Sequence, residues 1–243
     1  IDKRLFYLSF KPYEILYGQK FLSHRMQFSN LLGPNSKDQG SKIKKLYAGK
    51  MILGTMGRTE KIKDPLFLKT VSEILRQNRN AIYMWTGRSE EASIKSLFEE
   101  EGVEEQAEFI GWVDTAVYAH VFDIFLDSFP SGNGITVLQS MAAGTPVVNY
   151  STTIFEMIRD VLEDSSIENI YKEKAHNIFF DENTNENFCL SAPDRVSYVG
   201  MVQRLINDKG YRQNVGTAHF RFVKEMMSNP NETSQIITRN LLS

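Results

Sequence analysis

Between Asp123 and Val148 the chain reads DIFLDSFPSGNGITVLQSMAAGTPVV, and no other stretch restricts the fold as strongly. DIFLD is a short apolar run, the pattern of a buried strand. SFPSGNG is a turn in which Gly132 and Gly134 admit positive φ and let a ligand approach the backbone. ITVLQSMAA predicts a helix over 134–143, beginning directly after the turn. Gly144-Thr145-Pro146 stops it, and PVVNY enters a further strand. Strand, turn, helix and strand in one run form the repeating unit of a parallel sheet. The turn also has the makings of an anion site, because the free N–H groups and the dipole of a helix start point the same way. The expected phosphate position is Asn133–Thr136.

The same alternation sets in at Met51. MILGT reads as a strand, and Pro65–Gln77 as a helix with Phe67, Val71, Ile74 and Leu75 at helical spacing. AIYMWTG (81–87) is a strand. Ser89–Glu101 is an amphipathic helix through Ile94, Leu97 and Phe98. AEFIGW (107–112) is a strand and Thr115–Val121 a short helix. Further on, Ile154–Leu162 reads as a helix, HNIFF (176–180) as a short strand, and Asp194–Asn207 and Tyr211–Ser228 as helices. The expected class is α/β, a doubly wound, Rossmann-like parallel sheet. Ligands of such sheets sit beyond the carboxyl ends of the strands.

Residues 51–229 form the expected domain. Residues 1–50 are expected to be a linker or remnant preceding it, and residues 230–243 a tail or crossing helix. Within the first part, IDKRLFYLSF suits a strand or short helix. Gly33–Lys42 is polar and loop-like, and the four lysines of KIKKLYAGK read as a solvated linker rather than a basic binding patch. Since the first residue is Ile1, the chain is expected to be a piece of a longer protein.

At 243 residues and 42% hydrophobic content, one sizeable domain with a real core is expected. A formal net charge of −2 lacks the basic excess of a general nucleic-acid binder. Apolar runs are too short for a membrane span. Cys189 is the only cysteine, which excludes a disulfide or a cysteine-ligated metal cluster within the chain and favours a reducing, cytoplasmic compartment. It is expected to be a small buried or semi-exposed thiol. His24, His176 and His219 match no motif, and His120 is expected to face the crevice or the core. No histidine shows metal-ligand spacing. Asp123 and Asp127 frame a strand as D-x-x-x-D and are expected to hydrogen-bond loop backbones. Asn231-Glu232-Thr233 fits the N-glycosylation triplet, which carries no meaning in a reducing compartment.

After MILGT comes MGRTEKIKDP, a loop at a strand's carboxyl end. Arg58 and Lys61 are placed to reach over the crevice there, although an exposed cation after a strand is often simply solvated. The glycine turn at 132–134 strengthens the site reading, since the two loops should face each other across the sheet.

These motifs resemble the nucleotide-sugar-binding, C-terminal half of a GT-B glycosyltransferase, most closely that of the O-GlcNAc transferase and HMW1C-like protein glycosyltransferases. The resemblance covers about residues 51–229. It is carried by Leu126-Asp127-Ser128-Phe129-Pro130, Gly132, Gly134, Thr136, Gln139 and Gly144-Thr145-Pro146-Val147-Val148. It implies a nucleotide-sugar donor, UDP-linked, with its diphosphate on Gly132, Asn133, Gly134, Ile135 and Thr136. In these families the loop after the first strand reads like GSFNRLEKI and its last lysine contacts the diphosphate. Lys61 matches that lysine, and Arg58 stands at a polar or basic position. Both would act catalytically by stabilising the charge that grows on the leaving nucleoside diphosphate.

Gln139 stands where the families place an Asp or Glu on the ribose hydroxyls, and an exposed helix glutamine is the other reading. In Gly111-Trp112-Val113 the resemblance implies that Val113 reads the base edge. Trp112 either packs on the base or is partly buried structure, and Arg88 either reaches the diphosphate or base or is a surface charge at a helix start. The families' helper histidine is absent, because Gly134 or Ile135 occupies its place. The base is expected from an N-terminal domain outside this chain, and no metal or cofactor is expected. General retaining GT-B families carry E-x7-E where this chain has Ser131 and Gln139, so inversion of the anomeric carbon is expected. A non-catalytic nucleotide-binding or interaction domain of the same descent is the alternative. A sugar-nucleotide epimerase would need further carboxylates and histidines in the cleft. The acceptor (protein, lipid or glycan) and the sugar are left open.

Overall fold

The computed structural model describes residues 31–88, 92–150, 179–181 and 184–227. Five parallel strands form one sheet: β1 (Met51–Thr55), β2 (Ala81–Thr86), β3 (Ala107–Gly111), β4 (Ile124–Leu126) and β5 (Val147–Val148), in the order β3-β2-β1-β4-β5. Helices cover both faces, so the expected doubly wound α/β sheet is present. They are α1 (Ser36–Leu46), α2 (Thr59–Ile62), α3 (Pro65–Gln77), α4 (Ala92–Glu100), α5 (Thr115–Tyr118), α6 (Ile135–Ala142), α7 (Arg195–Asn207) and α8 (Lys209–Met227). A short antiparallel pair, β6 (Phe180–Asp181) and β7 (Glu186–Asn187), stands apart from the main sheet.

Strands covered on both faces need apolar side chains throughout, which is why β1, β2 and β4 read as unbroken hydrophobic runs. On one face Leu53 lies beside Tyr83 and Thr55 beside Trp85. Tyr83 stacks on Trp85 with ring centroids 6.0 Å apart, and Phe98 of α4 closes over both. On the other face, a Cβ at Gly54 would fall 2.4 Å from the ring of Phe122. Helix α3 starts with Pro65, whose absent N–H is no loss in a first turn. The Asp64 carboxylate accepts the Leu66 and Phe67 N–H groups at 2.9 and 3.3 Å. Its buried side, Phe67, Leu68, Val71, Ile74 and Leu75, packs toward the sheet, and α7 and α4 lie against it. Asp194 caps α7 through the Ser197 N–H at 2.7 Å, and that bond holds its carboxyl below the usual range.

Behind β5, α8 packs closely on α6. A Cβ at Gly216 would lie 2.2 Å from the Gly144 carbonyl oxygen, so only glycine allows this approach. His219 of α8 is fully buried. Its Nδ1 accepts the Val147 N–H at 3.1 Å, and its Nε2 donates to the Phe188 carbonyl at 3.0 Å. Burial pushes its pKa down to about 4, so the ring is neutral.

The stretch Gly33–Lys42 departs from the loop expectation, since α1 occupies it from Ser36 onward. Asp38 in the first turn and Lys44 and Lys45 in the last suit the helix dipole. The helix docks through a glycine: a Cβ at Gly40 would meet His120 Cβ and the Val117 carbonyl, each at 2.7 Å. Lys44 pairs with Asp123 at 2.6 Å, and the Tyr47 hydroxyl donates to Glu108 at 2.9 Å. A helix that docks through glycine and polar contacts carries little apolar periodicity, which is why composition points to a loop. Helix α5 is also shorter than expected and stops at Tyr118.

Several expectations fall outside the described residues: the element in 1–10, His24, the helix 154–162, His176 with the start of the strand expected at 176–180, the tail beyond 227, and the Asn231 triplet. Among the described residues no helix is long and apolar enough to cross a membrane.

Candidate functional site

Strand order reverses between β1 and β4, because the chain winds from β1 out to β3 and then returns to place β4 and β5 on the other side. Such a reversal opens a crevice at the carboxyl edge of the sheet. Two loops frame it here, Met56–Asp64 after β1 and Asp127–Gly134 after β4. They are joined by specific bonds. The Thr136 hydroxyl donates to the Met56 carbonyl at 2.8 Å, and the Lys61 ammonium donates to the Gly132 carbonyl at 2.6 Å. Thr86, at the end of β2, accepts the Gly57 N–H at 2.9 Å and returns a bond to the Gly57 carbonyl at 3.1 Å. Gly57 itself must lack a side chain, since a Cβ would lie 2.3 Å from Asn133 Oδ1.

The glycine turn is built around Asp127, whose carboxylate is fully buried. Oδ1 accepts the Asn133 backbone N–H at 2.7 Å and the Asn133 side-chain amide at 3.0 Å, and Oδ2 accepts the Asn149 amide at 2.8 Å. The Asn133 amide also donates to the Ser128 hydroxyl at 3.0 Å, and that hydroxyl donates to the Ser131 carbonyl at 3.0 Å. From α7, the Tyr198 hydroxyl donates to the Asp127 carbonyl at 3.1 Å. Helix α6 then begins with Gly134 at its N-cap and no side-chain cap. The N–H groups of Ile135 and Thr136, in its first turn, have no intrahelical acceptor. These are the groups a phosphate would use. The Thr136 side chain is committed to Met56, so only its backbone is available to a ligand.

Lys61 is half-buried beside this turn. Burial lowers the pKa of its ammonium, the Asp127 carboxylate opposes that shift, and the Arg58 guanidinium adds to it. Arg58 stands at the N-cap of α2 with its side chain exposed. The carboxyl edge therefore brings a half-buried ammonium, an exposed guanidinium and an open helix N-terminus to one crevice.

The remaining sequence candidates distribute along the same edge, with two exceptions. Arg88 is exposed at the end of β2. Trp112 is 75% exposed just past β3, so its ring is not partly buried structure. Val113 beside it is half-buried. The order β3-β2-β1 places this loop two strands from β1, with the two strands about 10 Å apart. Gln139 lies on α6, where its amide donates to the Leu31 carbonyl at 3.0 Å and its Oε1 has no partner among the described residues.

The first exception is Asp123, which sits at the opposite, amino edge of the sheet and accepts the Ile52 N–H at 2.9 Å. The second is His120, which packs against α1 away from the crevice, with its pKa lowered by burial and then by Lys37. Sequence reading missed Gly57, Thr86, Asn149 and Tyr198, all of which organise the loops. Only Gly57 carried a signal, as a glycine two positions past the end of a strand. Among the described residues no three His, Cys, Asp or Glu side chains gather as metal ligands would.

Residues 50–177 match the family model described as glycosyl transferases group 1. No curated protein sequence matches the chain. Solved structures share its fold at low identity. The C-terminal domain of LpcC, a glycosyl transferase group 1 family protein from Francisella tularensis, is 15% identical with a TM-score of 0.58, and the match covers 84% of this chain and 98% of that one. HepE from Anabaena, solved in complex with UDP and glucose, is 11% identical with a TM-score of 0.60, over 88% of this chain and 53% of that one. The Thermobaculum terrenum O-GlcNAc transferase is 18% identical with a TM-score of 0.56, over 79% of this chain and 35% of that one. The chain thus spans nearly all of the isolated LpcC domain and about half or less of the two longer proteins.

Proposed function

The chain belongs to the glycosyl transferases group 1 family, and on that premise we propose that it is the donor-holding domain of a glycosyltransferase that takes a UDP-linked sugar. One observation carries this reading: at the reversal point of the sheet the Lys61 ammonium is bonded, at 2.6 Å, to the Gly132 carbonyl of the turn that leads into the open start of α6. A diphosphate there would be met by the N–H groups of Ile135 and Thr136, by Lys61 and by the exposed Arg58. UDP in HepE, which shares the fold, supports uracil as the base. Trp112 and Val113 would hold that base, Arg88 would approach the diphosphate or base from between, and Gln139 would meet the ribose.

In the reaction a nucleophilic heteroatom of the acceptor attacks the anomeric carbon. The bond from that carbon to the phosphate oxygen breaks, and its electron pair remains on the leaving diphosphate. Fixed donors aimed at that oxygen lower the barrier because they need no reorganisation as charge develops. The proton lost by the acceptor passes to a base from a second domain, which also selects the acceptor. Ser131 and Gln139, standing in place of two glutamates, support an inverting course of the O-GlcNAc transferase or HMW1C type. The second reading, a non-catalytic nucleotide-binding domain, rests on Gln139, which lacks the charge of the Asp or Glu that the families place there.

Calorimetric titration of the chain with UDP, UDP-GlcNAc, UDP-glucose and GDP, alongside Lys61→Ala, tests the proposal. Saturable binding of uridine ligands that Lys61→Ala weakens is the expected result. No binding of any of the four at millimolar concentration would sink it. Binding without transfer by the whole protein would select the second reading.

A further inference from the structure

Asp127 is the one buried carboxylate among the described residues. A buried carboxylate is costly unless both oxygens are well met, so its presence in an otherwise apolar strand end calls for a reason. Its two oxygens face different parts of the molecule. Oδ2 takes the amide of Asn149, just past β5, at 2.8 Å and so anchors to the sheet. Oδ1 takes both the backbone and side-chain N–H groups of Asn133, at 2.7 and 3.0 Å, and so closes the turn 127–133 into a ring. Asn133 in turn is wedged against Gly57 of the facing loop. The residue directly after this ring, Gly134, starts α6. The direction of the Ile135 and Thr136 N–H groups therefore follows from where Asp127 holds Asn133.

We propose that Asp127 is the positioning residue of the anion site: its carboxylate ties the glycine turn to β5 through Asn149 and thereby aims the start of α6 into the crevice. This rests on the donor-site reading above. Asp127 touches no ligand itself and acts through Asn133.

The test uses the whole chain, UDP as probe, and three proteins: wild type, Asp127→Asn, and the exchange Asp127→Asn with Asn149→Asp. The single variant puts an amide hydrogen against an amide donor on one side. The exchange restores the pairing, because the new amide can donate to the new carboxylate at position 149 while its oxygen still serves Asn133. The single variant is expected to lose at least about tenfold in UDP affinity, the scale of a charge-assisted bond, and the exchange to recover most of it. Hydrogen exchange at the Asn133 amide is expected to quicken at least about tenfold in the single variant and to slow again in the exchange, on the same free-energy scale. Unchanged UDP affinity in the single variant overturns the proposal, as does a loss that the exchange leaves unrepaired. Should the wild-type chain bind no UDP, the donor reading fails separately. Asn133 amide exchange then decides the positioning role, with equal rates in wild type and single variant overturning it. If Asp127→Asn does not fold, Asn133→Ala replaces it in the same two measurements. It is expected to weaken UDP binding, and an affinity equal to wild type overturns the proposal.

Discussion

The carboxyl edge at β1 and β4 and the packing behind β5 solve the same problem, a buried polar side chain, in opposite ways. At the carboxyl edge Asp127 holds a loop, and that loop ends in backbone N–H groups with no intrahelical acceptor and no side-chain cap among the described residues. Behind β5 both ring nitrogens of His219 meet backbone groups, so no capacity is left over. Close glycine contacts occur in both places, yet Gly57 brings two loops together while Gly216 brings two helices together. The difference teaches which region supports stability and which keeps unsatisfied capacity for a ligand. Changes behind β5 should move stability and spare ligand binding, and changes at the carboxyl edge should do the reverse.

The largest expected effect is on the stability side and depends on pH. His219 has a pKa near 4 when folded against 6.5 for the free ring. The unfolded chain therefore takes up the proton first, and stability falls as pH drops from about 6.5 toward 4, then levels off. The loss approaches about 3 kcal/mol, because each tenfold difference in proton affinity between the folded and unfolded chain is worth about 1.4 kcal/mol. Urea unfolding at pH 7 and pH 4.5, for wild type and His219→Gln, measures it, and an equal pH slope in both proteins would contradict the assignment. Next comes Lys61→Ala, expected to weaken UDP binding by about 1.5–3 kcal/mol, the worth of a charged hydrogen bond. Its unfolding midpoint should stay close to wild type, since a half-buried ammonium at a crevice supports little of the core. A large stability loss with intact UDP affinity would place Lys61 on the scaffold side of the comparison.

Gly216→Ala should behave as the mirror image. Its new methyl meets a backbone carbonyl that cannot swing away, so about 1–3 kcal/mol of stability is expected to be lost with UDP affinity unchanged. Denaturant melts and a UDP titration on the same preparation separate the two. The smallest stability effect is expected for Trp112→Ala, within about 0.5 kcal/mol, because the ring is uncovered. If the base stacks there, UDP affinity should fall by about 1–3 kcal/mol while pyrophosphate affinity holds. Equal UDP binding by wild type and Trp112→Ala would remove Trp112 from the site.

Much of the fold was legible in the sequence. Helix α3 matches its expected bounds at both ends, because Pro65 with Asp64 marks its start and an apolar stripe runs its length. Strands β1 to β3 agree to within a residue. The glycine turn and the start of α6 were legible for the same local reason. Helix α1 was not, since Gly40 and two polar contacts dock it, and none of these shows as periodicity. At the site, the residue types at Lys61, Gly132 and Gly134 stood out. The partners of Asp127 and Thr136 did not, because a side chain's sequence neighbours do not reveal which distant backbone group it meets.

What the sequence determined alone is the alternation of elements, the glycine turn that opens a helix start, and the cations on the loop after β1. Each depends on spacing within one turn or one strand, where backbone geometry and burial act locally. Tertiary structure alone decided that β4 lies beside β1, so that the Lys61 ammonium reaches the Gly132 carbonyl, 71 positions along the chain. It also decided that Asp127 faces inward to Asn133 and Asn149, that Asp123 goes to the opposite edge, and that the Trp112 ring is left uncovered. The physical reason is that a hydrogen bond or a close glycine contact depends on two chain segments meeting. Strand order, which the packing of the whole sheet sets, decides which segments meet.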